Sequence, residues 1–288
     1  MSGPRTLRQL LQAEGPIQAP SAWDPLIGRV LEDEGFPCVM VGGWVTGAST
    51  AITEPLLTMT EQVDVAGAVA RAVTVPIIAD GHTGYGDPIH VRRAVREYER
   101  ASIAAIHIED QLFPKRAHYH ACQPRFARRR DVTKIRHALA ARDDPDFVTI
   151  ARTDAFDAVD GSLEETIRRC RTYRDAGADV LMPLPSPSGH PHGYSLELGR
   201  AVSEGVPDIP LIWLAGSSGS EREPTADEIH SAGFKIIMYP IMPILAAVGG
   251  VVQMARTLKR EGKASVAEAQ EGQGRDPAAH RPQRDVRG

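Results

Sequence analysis

The sequence predicts an α/β protein whose eight parallel strands close into a (β/α)8 TIM-like barrel. Eight short apolar runs alternate with amphipathic segments whose apolar residues recur at helical spacing. Glycine follows several helical segments, as in Glu34-Gly35-Phe36 and Ser231-Ala232-Gly233-Phe234, where a left-handed residue commonly ends a helix. A chain of 288 residues is long for an ordinary domain but suits one closed barrel.

Each predicted strand is apolar on both faces, which is typical of parallel strands covered by helices. Because parallel strands deliver their C-terminal ends to one end of a barrel, we expect a single catalytic face there. The predicted strands, in chain order, are 17–22, 39–43, 75–80, 104–109, 147–154, 180–185, 210–215 and 235–240. The clearest helical segments are 61–72, 90–101, 163–176, 226–232 and 244–261. We expect residues 1–263 to form one barrel domain and the polar residues 264–288 to form a disordered tail.

Composition limits the classes of function. Hydrophobic residues make up 42% of the chain and charged residues 24%, as in globular proteins, and the formal net charge is −4. This charge favours neither nucleic acid nor an anionic membrane, and no apolar run is long enough to span a bilayer. The N-terminus lacks the apolar segment of a signal peptide, and the three cysteines are too few and irregular for a disulfide framework. We therefore expect a cytoplasmic protein.

Acidic side chains stand at the ends of two neighbouring strands. Asp80 ends the third strand and Glu109 the fourth, so both should project into the barrel mouth. Carboxylate oxygens suit a hard divalent cation, and Mg²⁺ is the expected ion. His82 shares a face with Asp80 and is a third candidate ligand; its participation would make Mn²⁺ or another divalent metal more plausible. The alternatives are that an acid caps a helix or pairs with arginine, and that His82 only orients its loop.

Several groups near these acids could bind an anion. Arg152 ends the fifth strand, where its guanidinium could hold a carboxylate in bidentate fashion; the alternative is an ion pair with Asp154 or Glu109. Gly42 and Gly43, with Trp44, follow the second strand and would let a substrate carboxylate approach backbone amides.

A polar segment follows the fourth strand. It contains Lys115, Arg116, His118, Tyr119 and His120, a density of cations and titratable groups that suits a gate over an anion. Residues 119–130 are long enough to act as a mobile flap. The alternative is an ordinary solvated loop.

At these residues the chain resembles the isocitrate lyase and phosphoenolpyruvate mutase superfamily, from about Leu7 to Glu261. The resemblance implies a modified (β/α)8 barrel, a helix-swapped homo-oligomer, and Mg²⁺ holding a 2-oxo or 2-hydroxy carboxylate while a C–C or P–C bond breaks or forms. It makes Asp80 the direct metal ligand and Glu109 an outer ligand. It also assigns Lys115 and Arg116 to the gating loop, Arg152 to the substrate carboxylate, and Gly42 and Gly43 to an anion cradle. The motifs that carry it are Pro20-Ser21-Ala22-Trp23-Asp24, Asp80 with Thr83-Gly84-Tyr85-Gly86, Ile108-Glu109-Asp110-Gln111, Pro114-Lys115-Arg116 and Ala151-Arg152-Thr153-Asp154-Ala155.

The chain also departs from the superfamily pattern. Ala117 stands where the lyases have a cysteine general acid, His82 replaces a second acid, and Leu184 and Leu214 replace a glutamate and an asparagine. His118, Tyr119 or His120 could supply the proton instead, and Cys122 is a weaker substitute.

These observations favour a metal-dependent lyase that cleaves a C–C bond in, or decarboxylates, a small 2-oxo or 2-hydroxy di- or tricarboxylate through a pyruvate-enolate-like intermediate. One alternative is P–C chemistry, as a phosphonopyruvate hydrolase or phosphomutase. Another is a barrel that binds a carboxylate without catalysis.

Overall fold

The computed structural model describes residues 3–115, 131–158, 161–184, 195–216 and 223–262. Arg116, His118, Tyr119, His120, the 119–130 segment and the 264–288 tail lie outside these ranges. The strands are β1 Ile17–Pro20, β2 Val39–Val41, β3 Ile77–Asp80, β4 Ala105–Glu109, β5 Val148–Thr153, β6 Val180–Pro183, β7 Ile212–Leu214 and β8 Ile236–Tyr239. The helices are α1 Gly3–Gln12, α2 Pro25–Asp33, α3 Gly43–Thr50, α4 Met59–Ala72, α5 Pro88–Arg100, α6 Asp131–Leu139, α7 Leu163–Asp175, α8 Leu196–Gly205, α9 Ala226–Ser231 and α10 Met242–Glu261.

The eight strands close into a barrel, as predicted. Strands β2 to β6 form one parallel sheet in sequence order, and β8 lies between β1 and β7 in a second. Parallel bridges join the two sheets at both seams, between Ser21 and Met40 and between Leu181 and Leu211. The cyclic order is therefore β1 to β8 and back to β1.

Alternate residues of the strands divide the core into an inner and an outer layer. Ala19, Met40 and Ile150 belong to the cluster that fills the barrel, whereas Val39 packs with helix residues such as Val69 outside it. Leu7 of α1 is fully buried in the inner cluster. Because α1 also contacts the segment before β5 through Arg8, which donates to the Asp146 carbonyl, it covers the N-terminal end of the barrel. The C-terminal end is left for the polar residues.

The connection after β2 differs from the prediction. The predicted strand 39–43 ends at Val41, and Gly43 begins α3, a helix of small residues whose hydrophobic pattern is weak. Gly47 of α3 has no room for a side chain, because a Cβ there would lie 2.5 Å from the Ile52 carbonyl oxygen. This close packing and the left-handed Ala51 turn the chain back, so the following 3-10 helix Glu54–Leu56 begins at the barrel mouth.

Helix α10 is the least buried helix of the barrel. Ile244 is its only buried residue, although apolar side chains such as Leu245, Val248 and Val251 occur along it and are more than half exposed. Within the described ranges, no helix combines the length and apolar character needed to cross a bilayer.

Candidate active site

Three acidic side chains, two from strand ends and one from a connection, surround one lysine at the C-terminal end of the barrel. We call Glu54, Asp80 and Glu109 the acid cluster. The Nζ atom of Lys115 lies 2.6 Å from Glu54 Oε1, 3.4 Å from Glu109 Oε1 and 3.8 Å from Asp80 Oδ2. All four side chains are buried or nearly so, which makes their mutual interactions strong.

Asp80 is fixed by backbone groups. The amide of Gly43 donates to Oδ2 at 3.0 Å, and the amide of His82 donates to Oδ1 at 2.7 Å. The Tyr98 hydroxyl donates to the Asp80 carbonyl oxygen at 2.6 Å. Burial acts to raise the pKa of Asp80, but Lys115 and the adjacent His107 hold that pKa well below its usual value. Asp80 is therefore an ionised, oriented oxygen donor.

The pKa values of Glu109 and Lys115 are both raised, but for different reasons. Burial raises the pKa of Glu109 to about 7, although Lys115 and Arg152 oppose the rise. Burial acts to lower the pKa of Lys115, but Asp80, Glu109 and Glu54 hold it above its usual value. Lys115 is consequently charged, and Glu109 can hold or release a proton near neutral pH.

Arg152 contacts both Asp154 and Glu109, the two acids predicted from the sequence as its possible ion-pair partners. Its Nε and Nη2 donate to Asp154 at 2.8 and 3.0 Å, and its Nη1 lies 3.2 Å from Glu109 Oε2. Gln111 also donates to Asp154, at 2.6 Å. The ion-pair interpretation therefore describes the structure, and the guanidinium still faces the acid cluster through Glu109.

The charges of these described residues do not balance. When Glu109 is ionised, four carboxylates, namely the acid cluster and Asp154, are paired with two cations, Lys115 and Arg152, so four minus two leaves two formal negative charges. Burying unpaired negative charge is costly. The oxygen donors and the excess of two charges suit one divalent cation.

His82 adds a nitrogen to this group. Its side chain is 4% exposed, and its buried Nε2 has no hydrogen-bond partner among the described residues. Glu54, Asp80 and His82 each offer one ligand atom, and these three atoms lie within 4.8 Å of one another. Burial lowers the pKa of His82 to about 3, so the ring is neutral at physiological pH.

Two backbone positions, His82 and Gly43, border the space between these ligand atoms. His82 has φ +48°, a left-handed conformation that costs a residue with a Cβ about 1–2 kcal/mol. Opposite it, a Cβ on Gly43 would lie 2.6 Å from His82 Cε1, 2.7 Å from Glu54 Oε1 and 2.9 Å from Asp80 Oδ2. Only glycine at position 43 leaves the space between these groups free.

Asp110, the acid next to Glu109, has a structural role. Its Oδ2 accepts hydrogen bonds from Thr153, Arg169 and Tyr173 at 2.6 to 2.9 Å, and its Oδ1 accepts from the Asp154 amide at 3.1 Å. These bonds tie the end of β4 to the end of β5 and to α7. They hold the strands that carry Glu109 and Arg152 in register.

Only some of the site residues that were predicted from the sequence lie together. Asp80, His82, Glu109, Lys115 and Arg152 converge, and Gly43 joins them because its amide binds Asp80. Gly42 is the extended N-cap of α3, and Trp44 is partly buried in its first turn. In the described part of the chain, neither residue forms a hydrogen bond or ion pair with the acid cluster.

Glu54 is a site residue that the sequence did not indicate. It stands in the connection between β2 and α4, without the strand-end position that identified Asp80 and Glu109. The available signal was Thr53-Glu54-Pro55, an acid at a helix start within a connection that leads to the barrel mouth.

Among the described residues, the ends of β6 and β7 are apolar. Leu184 follows β6 and Leu214 ends β7, and both are partly buried against the inner cluster. Tyr239 ends β8 and donates to Gln18 Oε1 at 3.0 Å. Among the described residues, none that directly follows these three strands is ionised.

The fold and this set of side chains agree with the comparisons with known proteins. A family model described as phosphoenolpyruvate phosphomutase matches residues 7–259. The chain therefore belongs to that family, within the isocitrate lyase/phosphoenolpyruvate mutase superfamily, as its motifs indicated.

Particular relatives have different activities. The chain is 33% identical to 2,3-dimethylmalate lyase of Eubacterium barkeri over 258 residues, which cover 88% of this chain and 86% of the relative. It is 38% identical to oxaloacetate decarboxylase of Bradyrhizobium diazoefficiens over 260 residues, covering 89% and 84%. The structure of a phosphonopyruvate hydrolase complex with oxalate and Mg²⁺ superposes with a TM-score of 0.80 at 30% identity, covering 95% of each chain.

Proposed function

We propose that this protein is a divalent-metal-dependent lyase that acts on a small 2-oxo or 2-hydroxy di- or tricarboxylate. It would cleave a C–C bond, or decarboxylate the acid, with an enolate-like carboxylate as intermediate. The observation that carries the proposal is the buried excess of two negative charges beside Lys115 and Arg152 at the barrel mouth. The lyase and decarboxylase activities named for relatives support it.

Residues of the acid cluster would hold the metal. Asp80 is the direct ligand in this proposal, Glu54 lies close enough to be a second, and Glu109 would be an outer ligand through water. Carboxylate oxygens suit Mg²⁺ or Mn²⁺, and the Mg²⁺ complex of the phosphonopyruvate hydrolase is consistent with this class of ion. When bound, the ion supplies Lewis-acid stabilisation of negative charge on the substrate oxygens.

The remaining residues would bind and orient the substrate. Arg152 can offer a guanidinium edge to the substrate carboxylate if its contact with Glu109 is exchanged for the substrate, while Asp154 keeps the side chain in place. Lys115 offers a second cation, 3.4 Å from Glu109 Oε1. Glu109, with its pKa near 7, can accept or return a proton at Oε1, which has no hydrogen-bond partner among the described residues. We also propose that Arg116 belongs to the gating loop and that His118, Tyr119 or His120 supplies the proton.

A panel of acids tests the proposal. Protein stripped of metal by a chelator is incubated with 2,3-dimethylmalate, methylisocitrate, isocitrate, oxaloacetate and phosphonopyruvate, with and without Mg²⁺ or Mn²⁺. We expect release of a 2-oxo acid or CO₂ from at least one carbon acid, only when metal is added. Metal-independent turnover, or no turnover of any carbon acid, would contradict the proposal.

The same panel separates a second candidate function, P–C bond cleavage. It is favoured by the structural match to phosphonopyruvate hydrolase. Phosphorus NMR would show loss of the phosphonopyruvate signal. If phosphonopyruvate alone is consumed, the protein is a P–C enzyme.

We also propose that the protein is a cytoplasmic homo-oligomer that binds neither nucleic acid nor membrane. The exposed apolar side chains of α10, including Leu245, Val248 and Val251, support association with a second copy, because monomers rarely expose such a stripe. Sedimentation should show a dimer or larger species, and Val248→Glu should weaken it. A monomer at micromolar concentration would be the contrary result.

A further inference from the structure

The imidazole of His82 distinguishes this acid cluster from a site made of oxygen alone. The inference rests on the proposed metal dependence: we propose that His82 binds the divalent cation directly through a ring nitrogen and makes the site prefer Mn²⁺, Fe²⁺ or Co²⁺ over Mg²⁺. The residue thus determines metal specificity.

The environment of the His82 ring favours metal binding. The side chain is 96% buried, and its Nε2 finds no hydrogen-bond partner in the described part of the chain. A buried imidazole nitrogen without a partner is unfavourable, because it has lost its hydrogen bonds to water. A metal ion is a partner that would satisfy this nitrogen, and the ring reaches within 4.8 Å of ligand atoms on both Glu54 and Asp80.

The position of the His82 ring also favours metal binding, and the neighbouring His107 provides the contrast. His107 is also buried with unpartnered nitrogens, but its Nδ1 approaches Oδ1 of Asp80, at 3.5 Å. The other oxygen, Oδ2, is the one that faces Glu54 and Lys115 across the space kept open by Gly43. His82 borders that space, with its Cε1 at 2.6 Å from the position of a Gly43 Cβ. Glu54 and His82 therefore border the same space beside Oδ2 of Asp80, whereas His107 approaches Oδ1.

The backbone of His82 is constrained as well. His82 is held at φ +48°, with its own amide bound to Asp80 Oδ1. Strain of this kind, observed at the edge of a polar site, is a reason to look for a functional constraint on the residue. The same turn that orients the Asp80 carboxylate thus also places the His82 ring against it.

Ligand chemistry then decides which ions benefit. Mg²⁺ favours oxygen ligands and octahedral geometry, whereas imidazole suits later first-row divalent ions. A mixed set of two carboxylates and one imidazole should favour those ions, and Mn²⁺ tolerates both donor types.

Two measurements on the full-length protein test the assignment. The first is pulsed EPR of Mn²⁺ bound to chelator-treated protein, prepared with natural-abundance and with ¹⁵N-labelled histidine. We expect ¹⁴N modulation that changes to a ¹⁵N pattern on labelling, persists in His107→Gln and disappears in His82→Asp. Bound Mn²⁺ without a histidine signal in the wild-type protein would overturn the inference, even if no variant folds.

The second measurement is calorimetric titration with Mg²⁺ and Mn²⁺. We expect the ratio of the Kd for Mg²⁺ to the Kd for Mn²⁺ to fall about tenfold or more in His82→Asp, because the variant supplies oxygen in place of nitrogen. His90→Asp, which changes an exposed histidine on α5, should leave the ratio unchanged. An unchanged ratio in His82→Asp would contradict the inference but leave the proposed metal-dependent lyase intact. Failure to bind any divalent ion would contradict both.

Discussion

The two sides of the barrel mouth differ sharply in chemistry although the same type of strand builds both. The ends of β3, β4 and β5 carry Asp80, Glu109 and Arg152. The ends of β6 and β7 carry Leu184 and Leu214. We propose that the charged side binds a metal and a carboxylate; among the described residues, the ends of β6 and β7 offer no cation for a second anionic group. We therefore expect a substrate whose carboxylate and reacting oxygen lie on the charged side and whose substituent on the apolar side is small and uncharged.

The largest effect should come from removing the central ligand of the charged side. Asp80→Asn replaces an ionised oxygen donor with a neutral amide of the same shape, and the Gly43 and His82 amides lose their anionic acceptor. We expect kcat/KM to fall by about a thousandfold or more, since the loss of several kcal/mol of metal-dependent stabilisation corresponds to that factor. Calorimetry should show loss of metal binding in parallel. Retained turnover would remove the charged side from the mechanism.

A smaller loss should follow when Arg152 is replaced by lysine. Arg152→Lys keeps the charge but loses the two parallel bonds to Asp154 and the planar edge proposed for the substrate. We expect KM to rise about 100-fold, since charge-assisted hydrogen bonds each contribute roughly 1.5–3 kcal/mol. Steady-state kinetics gives the value, and a thermal melt checks that the fold is retained. An unchanged KM would leave only the structural ion pair with Asp154.

The apolar side should affect selectivity more than rate. Leu214→Asn places a hydrogen-bonding group at the end of β7. We expect the preference for an alkyl-substituted acid over a tricarboxylate to fall about tenfold, because a pocket contact of this size changes discrimination by roughly 1–3 kcal/mol. The ratio of kcat/KM values for 2,3-dimethylmalate and isocitrate measures it. Leu214→Met is the apolar control, and an equal ratio in both variants would show that the apolar side does not select the substrate.

The smallest expected effect is the pH dependence of metal binding. Burial raises the pKa of Glu109 to about 7 in the folded protein, so the carboxyl is increasingly protonated below pH 7. A divalent cation favours the ionised form, so affinity should rise as pH increases through 7, and binding at pH 6 should release a proton. Calorimetry in two buffers of different ionisation enthalpy counts the proton. Equal proton release at pH 6 and pH 8 would contradict the role of Glu109 in metal binding. Proton release at pH 6 that is the same in Glu109→Gln as in the wild type would also contradict it.

The sequence was sufficient for the barrel and for much of the charged side. Eight two-sided apolar strands place their ends together whatever the loops do, so Asp80, Glu109 and Arg152 could be expected at one level. The position of Glu54 could not, because it depends on α3 and on the tight packing of Gly47, and a helix of small residues leaves no strong periodic signal. The contact of Lys115 with three acids is also a tertiary result, since the sequence indicated only that a cation follows β4.

The most direct test of the central claim is a crystal structure of the protein grown with Mn²⁺ and oxalate, with data collected at the manganese absorption edge. The account predicts one anomalous peak at about 2–2.6 Å from an Asp80 oxygen, on the side that faces Glu54. It also predicts oxalate between that peak and Arg152. A saturated crystal with no peak beside Asp80, or with its only peak away from the acid cluster, would contradict the account.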